Sequence, residues 1–231
     1  DKYSPWPEEA NRQMITKLAE FHFAPTISDK ENLLSEGVKE EDILVTGNTV
    51  VDSLIWSKLK IDDKDCIPKG LSKLFRGELD QKRIVLITSH RRENHGEKLE
   101  LVCESISDLA TEFPDTHFVF PVHPNPVVEN SVQKILGSLR ENIWLVEPLN
   151  YPEFLTVLKR SYILLTDSGG LQEEAPSFKK PVLLLRDNTE RGEGVDAGCV
   201  KLVGTNKESI NQEVRNLLLN EKDYNNMICS V

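Results

Sequence analysis

The sequence predicts an α/β fold built on a Rossmann-like parallel sheet, and three observations carry that reading. From residue 82 onward, short apolar runs of strand length alternate with helical stretches, the pattern of a parallel sheet covered on both faces. The runs open into polar clusters rich in Gly, Pro, His, Arg and Asn, as strands do where they meet loops. One run, Tyr162 to Thr166, stops at Asp167-Ser168-Gly169-Gly170 and reopens as a helix, which places backbone N–H groups at a helix N-terminus.

In chain order, Asp1 to Pro7 reads as an extended loop entering mid-fold, and the chain as a fragment of something longer. Pro7 suits a first helical turn, Glu8 and Glu9 complement its dipole, and Ala10, Met14, Ile15 and Leu18 fall at helical spacing. A strand near Phe21 to Ala24, a helix around Asp29 to Leu34, a strand Ile43 to Val45 and a helix from Thr49 to Lys58 follow. These are too few strands for a sheet of their own. Residues 61–81 are polar, contain Pro68, Gly70 and Gly77 and show no period, so they read as a linker between a first region, 1–60, and a second, 82–231.

The second region carries strands at Ile84 to Thr88, His117 to Val122, Ile143 to Val146, Tyr162 to Thr166, Val182 to Leu185 and Val200 to Val203. Its helices run over Glu97 to Glu112, Val127 to Leu136, Tyr151 to Lys159, Gly170 to Phe178 and Glu208 to Leu219. Pro176 falls inside the helix that follows the two glycines and removes the bond back to Gln172, so that helix should be short or kinked.

The 231 residues, 39% hydrophobic, suffice for a buried core. A net charge of −10 disfavours nucleic acid, so an anionic substrate must be met by a local cluster of Arg, His and helix ends. No apolar stretch approaches the roughly 18 residues of a membrane helix and no signal segment opens the chain, which implies no membrane and a cytoplasmic protein. Cys66, Cys103, Cys199 and Cys229 lack C-x-x-C spacing; neither a zinc site nor a disulfide framework is suggested, and free thiols are expected.

In a parallel sheet the loops after the strands emerge at one edge, where open α/β sheets bind ligands. Ser89 to Asn94, His123 to Pro126, Glu147 to Tyr151, Asp167 to Gly170 and Arg186 to Arg191 should therefore converge on one crevice. The glycine turn reads as a phosphate seat, because glycines let a ligand approach the backbone. Glu174, one turn further on, suits a hydroxyl pair such as a ribose, which hints at a nucleotide. Arg91, Arg92 and Arg191 can supply fixed positive charge for a diphosphate, and His90 can donate to an oxyanion or transfer a proton. Blander roles compete: His90 could cap a helix, Arg91 and Arg92 could pair with Glu93, and His123 could only shape its Pro-rich loop. Likewise Phe154 could be core and Glu8 a helix-dipole acid.

The blocks YSPWPEEANR (Tyr3 to Arg12), VTGNTVVD (Val45 to Asp52), SHRREN (Ser89 to Asn94) and PVHPNP (Pro121 to Pro126) occur in that order. TDSGGLQEEAPS (Thr166 to Ser177), KPVLLLRDNTER (Lys180 to Arg191) and KLVGT (Lys201 to Thr205) follow. Together they resemble the non-hydrolysing UDP-N-acetylglucosamine 2-epimerases. The resemblance implies a GT-B-type pair of Rossmann-like domains, with residues 1–60 the incomplete end of the first and residues 82–231 the UDP-binding second. It implies interconversion of UDP-N-acetylglucosamine and UDP-N-acetylmannosamine by elimination and re-addition of UDP, without metal or redox cofactor, in a homodimer serving polysaccharide synthesis. Carried over by motif, Ser168, Gly169 and Gly170 would bind phosphate and Glu174 the ribose. Phe154 and the backbone near Leu149 would frame the uracil, Arg191 would assist at the diphosphate side, and Glu8 and His90 would be catalytic; Arg91 and His123 remain candidate substrate contacts from their place in the polar clusters.

Two departures from the family pattern stand out. Further catalytic acids and basic residues of the family's first domain would lie upstream of Asp1, and Gly192-Glu193 stands where Pro-Glu is usual, which should loosen the loop holding Arg191. A GT-B-type glycosyltransferase and a UDP-binding fragment without chemistry are the competing functions.

Overall fold

A computed structural model describes residues 7–60, 66–76, 81–138, 141–189 and 191–228. The predicted N-terminal loop up to Trp6, as well as Glu190 and Cys229, lies outside the described residues. The chain divides into two compact units, Asp1–Trp56 and Ser57–Val231.

The first unit runs α1 (Glu8–Thr16), β1 (His22–Ala24), α2 (Ile27–Ser35), β2 (Ile43–Val45) and the start of α3 (Thr49–Lys60). Its two strands are parallel, with Phe23 opposite Leu44. Thr26 and Asp29 form a capping box that starts α2. Arg12 on α1 bridges Glu9, at 2.6 Å, and Glu36 just past α2, also at 2.6 Å. The Arg12 guanidinium holds the Glu9 carboxyl down at about 2.

Among the described residues, the second unit holds one parallel sheet of six strands. These are β3 (Arg83–Thr88), β4 (Thr116–Pro121), β5 (Ile143–Val146), β6 (Ile163–Thr166), β7 (Val182–Leu184) and β8 (Val200–Leu202), in the order β5-β4-β3-β6-β7-β8. Each predicted strand of this unit is found to within one residue at either end. The helices are α4 (Ser72–Arg76), α5 (Glu97–Glu112), α6 (Pro126–Leu136), α7 (Tyr151–Arg160), α8 (Leu171–Ser177), α9 (Gly192–Asp196), α10 (Lys207–Leu219) and α11 (Glu221–Met227).

Both sheet faces are buried, which is why the strands read as continuous apolar runs. Val85, Ile87, Phe118, Phe120, Ile163 and Leu165 face a core shared with α5, α6 and α10. The alternating positions Ile84, Leu86, Val119, Leu164, Val182 and Leu184 face a second core with α4, α7 and α8. Asn125, Asn150 and Asn206 cap α6, α7 and α10 through their side-chain oxygens. The helix containing Pro176 is seven residues long and ends one residue beyond it, as the missing N–H requires.

Three expectations are corrected. The stretch 61–81, read as a linker, contains a 3₁₀ turn, Lys69–Leu71, and α4, and buries Leu71, Leu74 and Phe75 in the core; one turn and a half is too short for periodicity to reveal. Gly192 opens α9 rather than a loose loop, and Gly194 is needed there because a Cβ would come within 2.7 Å of Val200. Cys199, expected as a free thiol, is disulfide-bonded, whereas Cys103 is a buried free thiol as expected; spacing in sequence says nothing of proximity in space.

Asn142, buried before β5, donates through Nδ2 to the carbonyls of Ala110, Phe113 and Thr116 at 2.9–3.2 Å. Replacing it by Ala takes this donor from all three carbonyls, of which that of Phe113 keeps the Thr116 N–H at 3.0 Å. We expect Asn142→Ala to cost about 1–3 kcal/mol of stability, read from urea unfolding.

Candidate active site

Strand order decides where chemistry can gather. The chain leaves β3 toward one edge of the sheet, through β4 and β5, and returns to β6 on the other side of β3. The loops after β3 and β6 therefore run apart and open a crevice at the carboxyl edge. Its walls are Ser89 to Asn94 and Asp167 to Gly170.

Asp167 pins those walls together. The residue is fully buried, at 0% exposure. Its Oδ2 accepts from Ser89 Oγ at 2.9 Å, the His90 and Arg91 N–H groups at 3.0 Å, and Asn94 Nδ2 at 3.1 Å. Buried charge is tolerated only with such a shell of donors. Just beneath, the Thr88 and Thr166 hydroxyls meet at 2.6 Å, and Thr166 Oγ1 accepts the Ser168 N–H at 3.0 Å.

The glycine turn leaves some of its N–H groups open, but not every one. That of Ser168 is taken by Thr166, and those of Gln172, Glu173 and Glu174 return to the carbonyls of Gly169 and Gly170. The N–H groups of Gly169, Gly170 and Leu171 make no hydrogen bond among the described residues. Gly170 has ordinary helical angles, φ −62 and ψ −36, and a Cβ added there would meet nothing within 4 Å. The protein's own packing does not demand glycine at this position; it leaves the backbone open from outside.

Beside the turn lies a cavity of about 250 Å³ lined by Thr88, Ser89, His90, Pro121, Val122, His123, Pro148, Leu149, Phe154, Ser168 and Leu171. Loops after four strands meet there, and His90, His123, Leu149, Phe154 and Ser168 are brought together. A neighbouring cavity of about 410 Å³ shares Val122, His123 and Pro148, which extends the space beyond the His123 loop. His90 and His123 stack with centroids 5.8 Å apart and planes 17° apart. A larger cavity, about 530 Å³, lies beside β7 and β8, but its Lys98 and Asp187 already face each other at 3.7 Å and its Asn206 already caps α10.

The other predicted residues stand off the cavity. Glu174 is buried at the start of α8, where burial pushes its carboxyl above the usual range, the nearby Tyr151 hydroxyl pulls it down and the charge of Glu173 pushes it up. Arg191 donates through Nε to Glu173, and its N–H to Thr189 Oγ1 at 3.1 Å. Arg91 is anchored by its backbone to Asp167 and faces Glu93 across 3.7 Å. Glu8 is an exposed residue in the first turn of α1, in the other unit. Asp167 and Asn94 received no role from the sequence. The available signal was the mismatch of an acid at the head of an anion seat, which has to point elsewhere.

A family model described as UDP-N-acetylglucosamine 2-epimerase matches residues 1–230. The UDP-N-acetylglucosamine 2-epimerase of Escherichia coli O157:H7 is 45% identical over 227 residues, 98% of this chain and 60% of that protein. That of Neisseria meningitidis serogroup A is 47% identical, over 97% of this chain and 60% of its own length. Among solved structures, the Neisseria meningitidis enzyme bound to UDP-GlcNAc superposes with a TM-score of 0.91 at 45% identity, over 100% of this chain and 62% of that one. An S. aureus MnaA–UDP co-structure gives 0.89 at 45% identity, over 100% and 60%. The chain thus spans about 60% of the length of the curated relatives it matches.

The raised Glu174 carboxyl sets a sign for stability. Between the ordinary carboxylate pKa, about 4.3, and its raised value, the folded state binds the proton more tightly than the unfolded state does. This component of stability therefore falls as pH rises through that window. Glu174→Gln should remove that decline and raise the urea midpoint at neutral pH.

Proposed function

The chain belongs to the UDP-N-acetylglucosamine 2-epimerase family, and on that premise we propose that it holds the UDP-binding part of an enzyme interconverting UDP-N-acetylglucosamine and UDP-N-acetylmannosamine. The observation that carries the reading is the switch-point cavity, where His90, His123, Leu149, Phe154 and Ser168 meet beside the open N–H groups of Gly169, Gly170 and Leu171. Relatives solved with UDP and with UDP-GlcNAc support the ligand.

In this reading Ser168, Gly169 and Gly170 take the diphosphate by hydrogen bonds, Leu149 and Phe154 frame the uracil, and Glu174 receives the ribose hydroxyls. Arg91, His123 and Arg191 complete the substrate contacts. The C1–O bond breaks as the C2 proton is removed, so that UDP departs and leaves a 2-acetamidoglucal. UDP oxygen then re-adds to C1 while a proton is delivered to the opposite face of C2, so one proton leaves and one returns. His90, at the cavity, and Glu8, assigned through the family motif, are the groups given to proton transfer. Donors aimed at the departing diphosphate stabilise the charge that develops there. The whole protein is read as a cytoplasmic homodimer that supplies a polysaccharide pathway and uses no cofactor.

Calorimetric titration with UDP tests the seat. We expect binding that Gly170→Asp abolishes, because a carboxylate would fill the space left over the turn; a folded chain that binds no UDP, or a Gly170→Asp variant that binds it equally well, overturns the proposal. Turnover is read separately. In heavy water, active protein should place deuterium at C2 of recovered UDP-N-acetylglucosamine, and a UDP-binding sample that leaves C2 unlabelled has no epimerase activity.

A further inference from the structure

The two stacked imidazoles at the cavity are held differently. His123 accepts the Asn125 N–H on Nδ1 at 3.1 Å, so that nitrogen carries no proton in the neutral ring and Nε2 does. His90 turns Nδ1 toward Asp167 Oδ1, 3.5 Å away, and Oδ1 is the oxygen with capacity to spare. Four donors crowd Oδ2, whereas among the described residues Oδ1 receives only the longer share, 3.2 Å, of the His90 N–H. A carboxylate is an acceptor only and offers about four lone-pair sites, so it selects the His90 tautomer with the proton on Nδ1. Such contacts are often long before a ligand closes the site.

We infer that Asp167 and the Asn125 backbone fix His90 and His123 in opposite tautomers, which makes Asp167 a positioning residue for the site proposed above. The consequence for substrate rests on that reading. His90 leaves a bare Nε2 for the cavity and acts as acceptor, able to take a hydrogen bond or proton from the sugar. His123 presents Nε2–H and acts as donor, suited to a phosphate or carbonyl oxygen of the nucleotide sugar. A stacked pair that shared one tautomer would offer two donors or two acceptors; this pair offers one of each.

The Asp167→Asn variant has a directed outcome. Its amide keeps the oxygen among the four donors at the Oδ2 position, which leaves NH₂ at the Oδ1 position, facing His90 Nδ1. A donor there requires a bare Nδ1 and drives the proton to Nε2. Ser89→Ala removes one donor from the same carboxylate but leaves Oδ1 intact, so it should keep the wild-type tautomer. The measurement is a two-bond nitrogen–proton correlation spectrum of the ¹⁵N-labelled full chain at about pH 8, above the ordinary histidine pKa of about 6.5. His90→Gln and His123→Gln assign the signals.

The expected result is Nδ1–H for His90 and Nε2–H for His123 in wild type, with His90 inverted in Asp167→Asn and unchanged in Ser89→Ala. Both rings protonated on Nε2 in wild type, or no inversion in folded Asp167→Asn, overturns the assignment. The wild-type spectrum decides even if the Asn variant does not fold. Because the spectra are recorded without nucleotide, opposite tautomers in a protein that binds no UDP would sink the nucleotide reading alone. UDP binding with both rings protonated on Nε2 would sink the tautomer assignment alone.

Discussion

A carboxylate with none of its surface in water has to be surrounded by donors, and that of Asp167 takes them from a single loop: Ser89 Oγ, the backbone N–H groups of His90 and Arg91, and Asn94 Nδ2. That one constraint fixes the geometry of the crevice. It requires β3 and β6 to be neighbours, which the strand order supplies, and in register, which the pairing of Thr88 with Thr166 supplies. It also aims the rest of the glycine turn away from the acid, leaving the N–H groups of Gly169, Gly170 and Leu171 on the open side. The acid at the head of the glycine turn is therefore its anchor.

The crevice is electrically quieter than its arginines suggest. Arg191 is paired with Glu173, and Arg91 lies near Glu93, so much of their charge is met by the protein itself. What faces the cavity is a set of oriented dipoles and imidazoles, Ser168 and the stacked His90 and His123 among them. Any recognition of an anion there depends on placement rather than on net field, since the chain as a whole carries a charge of −10.

The sheet was legible because both of its faces are buried. Runs such as Ile84 to Thr88 and Tyr162 to Thr166 stay apolar on both sides of the pleat, and no half-exposed alternation blurs their ends. Convergence of the loops follows from parallel order alone, which is how the sequence gathers His90, His123, Leu149 and Ser168, whereas Phe154 enters only through the family resemblance. Short pieces escaped: α4 and α9 have five residues each, less than the window in which a helical period can be counted. Side-chain direction escaped as well. Nothing in the string Asp167-Ser168-Gly169-Gly170 says that the acid turns inward, that Arg191 bends onto Glu173 or that Glu174 lies buried near Tyr151, because those facts depend on residues distant in sequence.

The contact between Ser89 and Asp167 joins positions 78 residues apart, and closing a loop of that length costs chain entropy before any contact rewards it. The chain between those two positions forms β4 and β5 along one edge of β3, while β6 pairs with the other. The crevice between the β3 and β6 loops therefore depends on contacts distant in sequence. A chain that has collapsed, and even formed most of its helices, has no such crevice until the central strands meet.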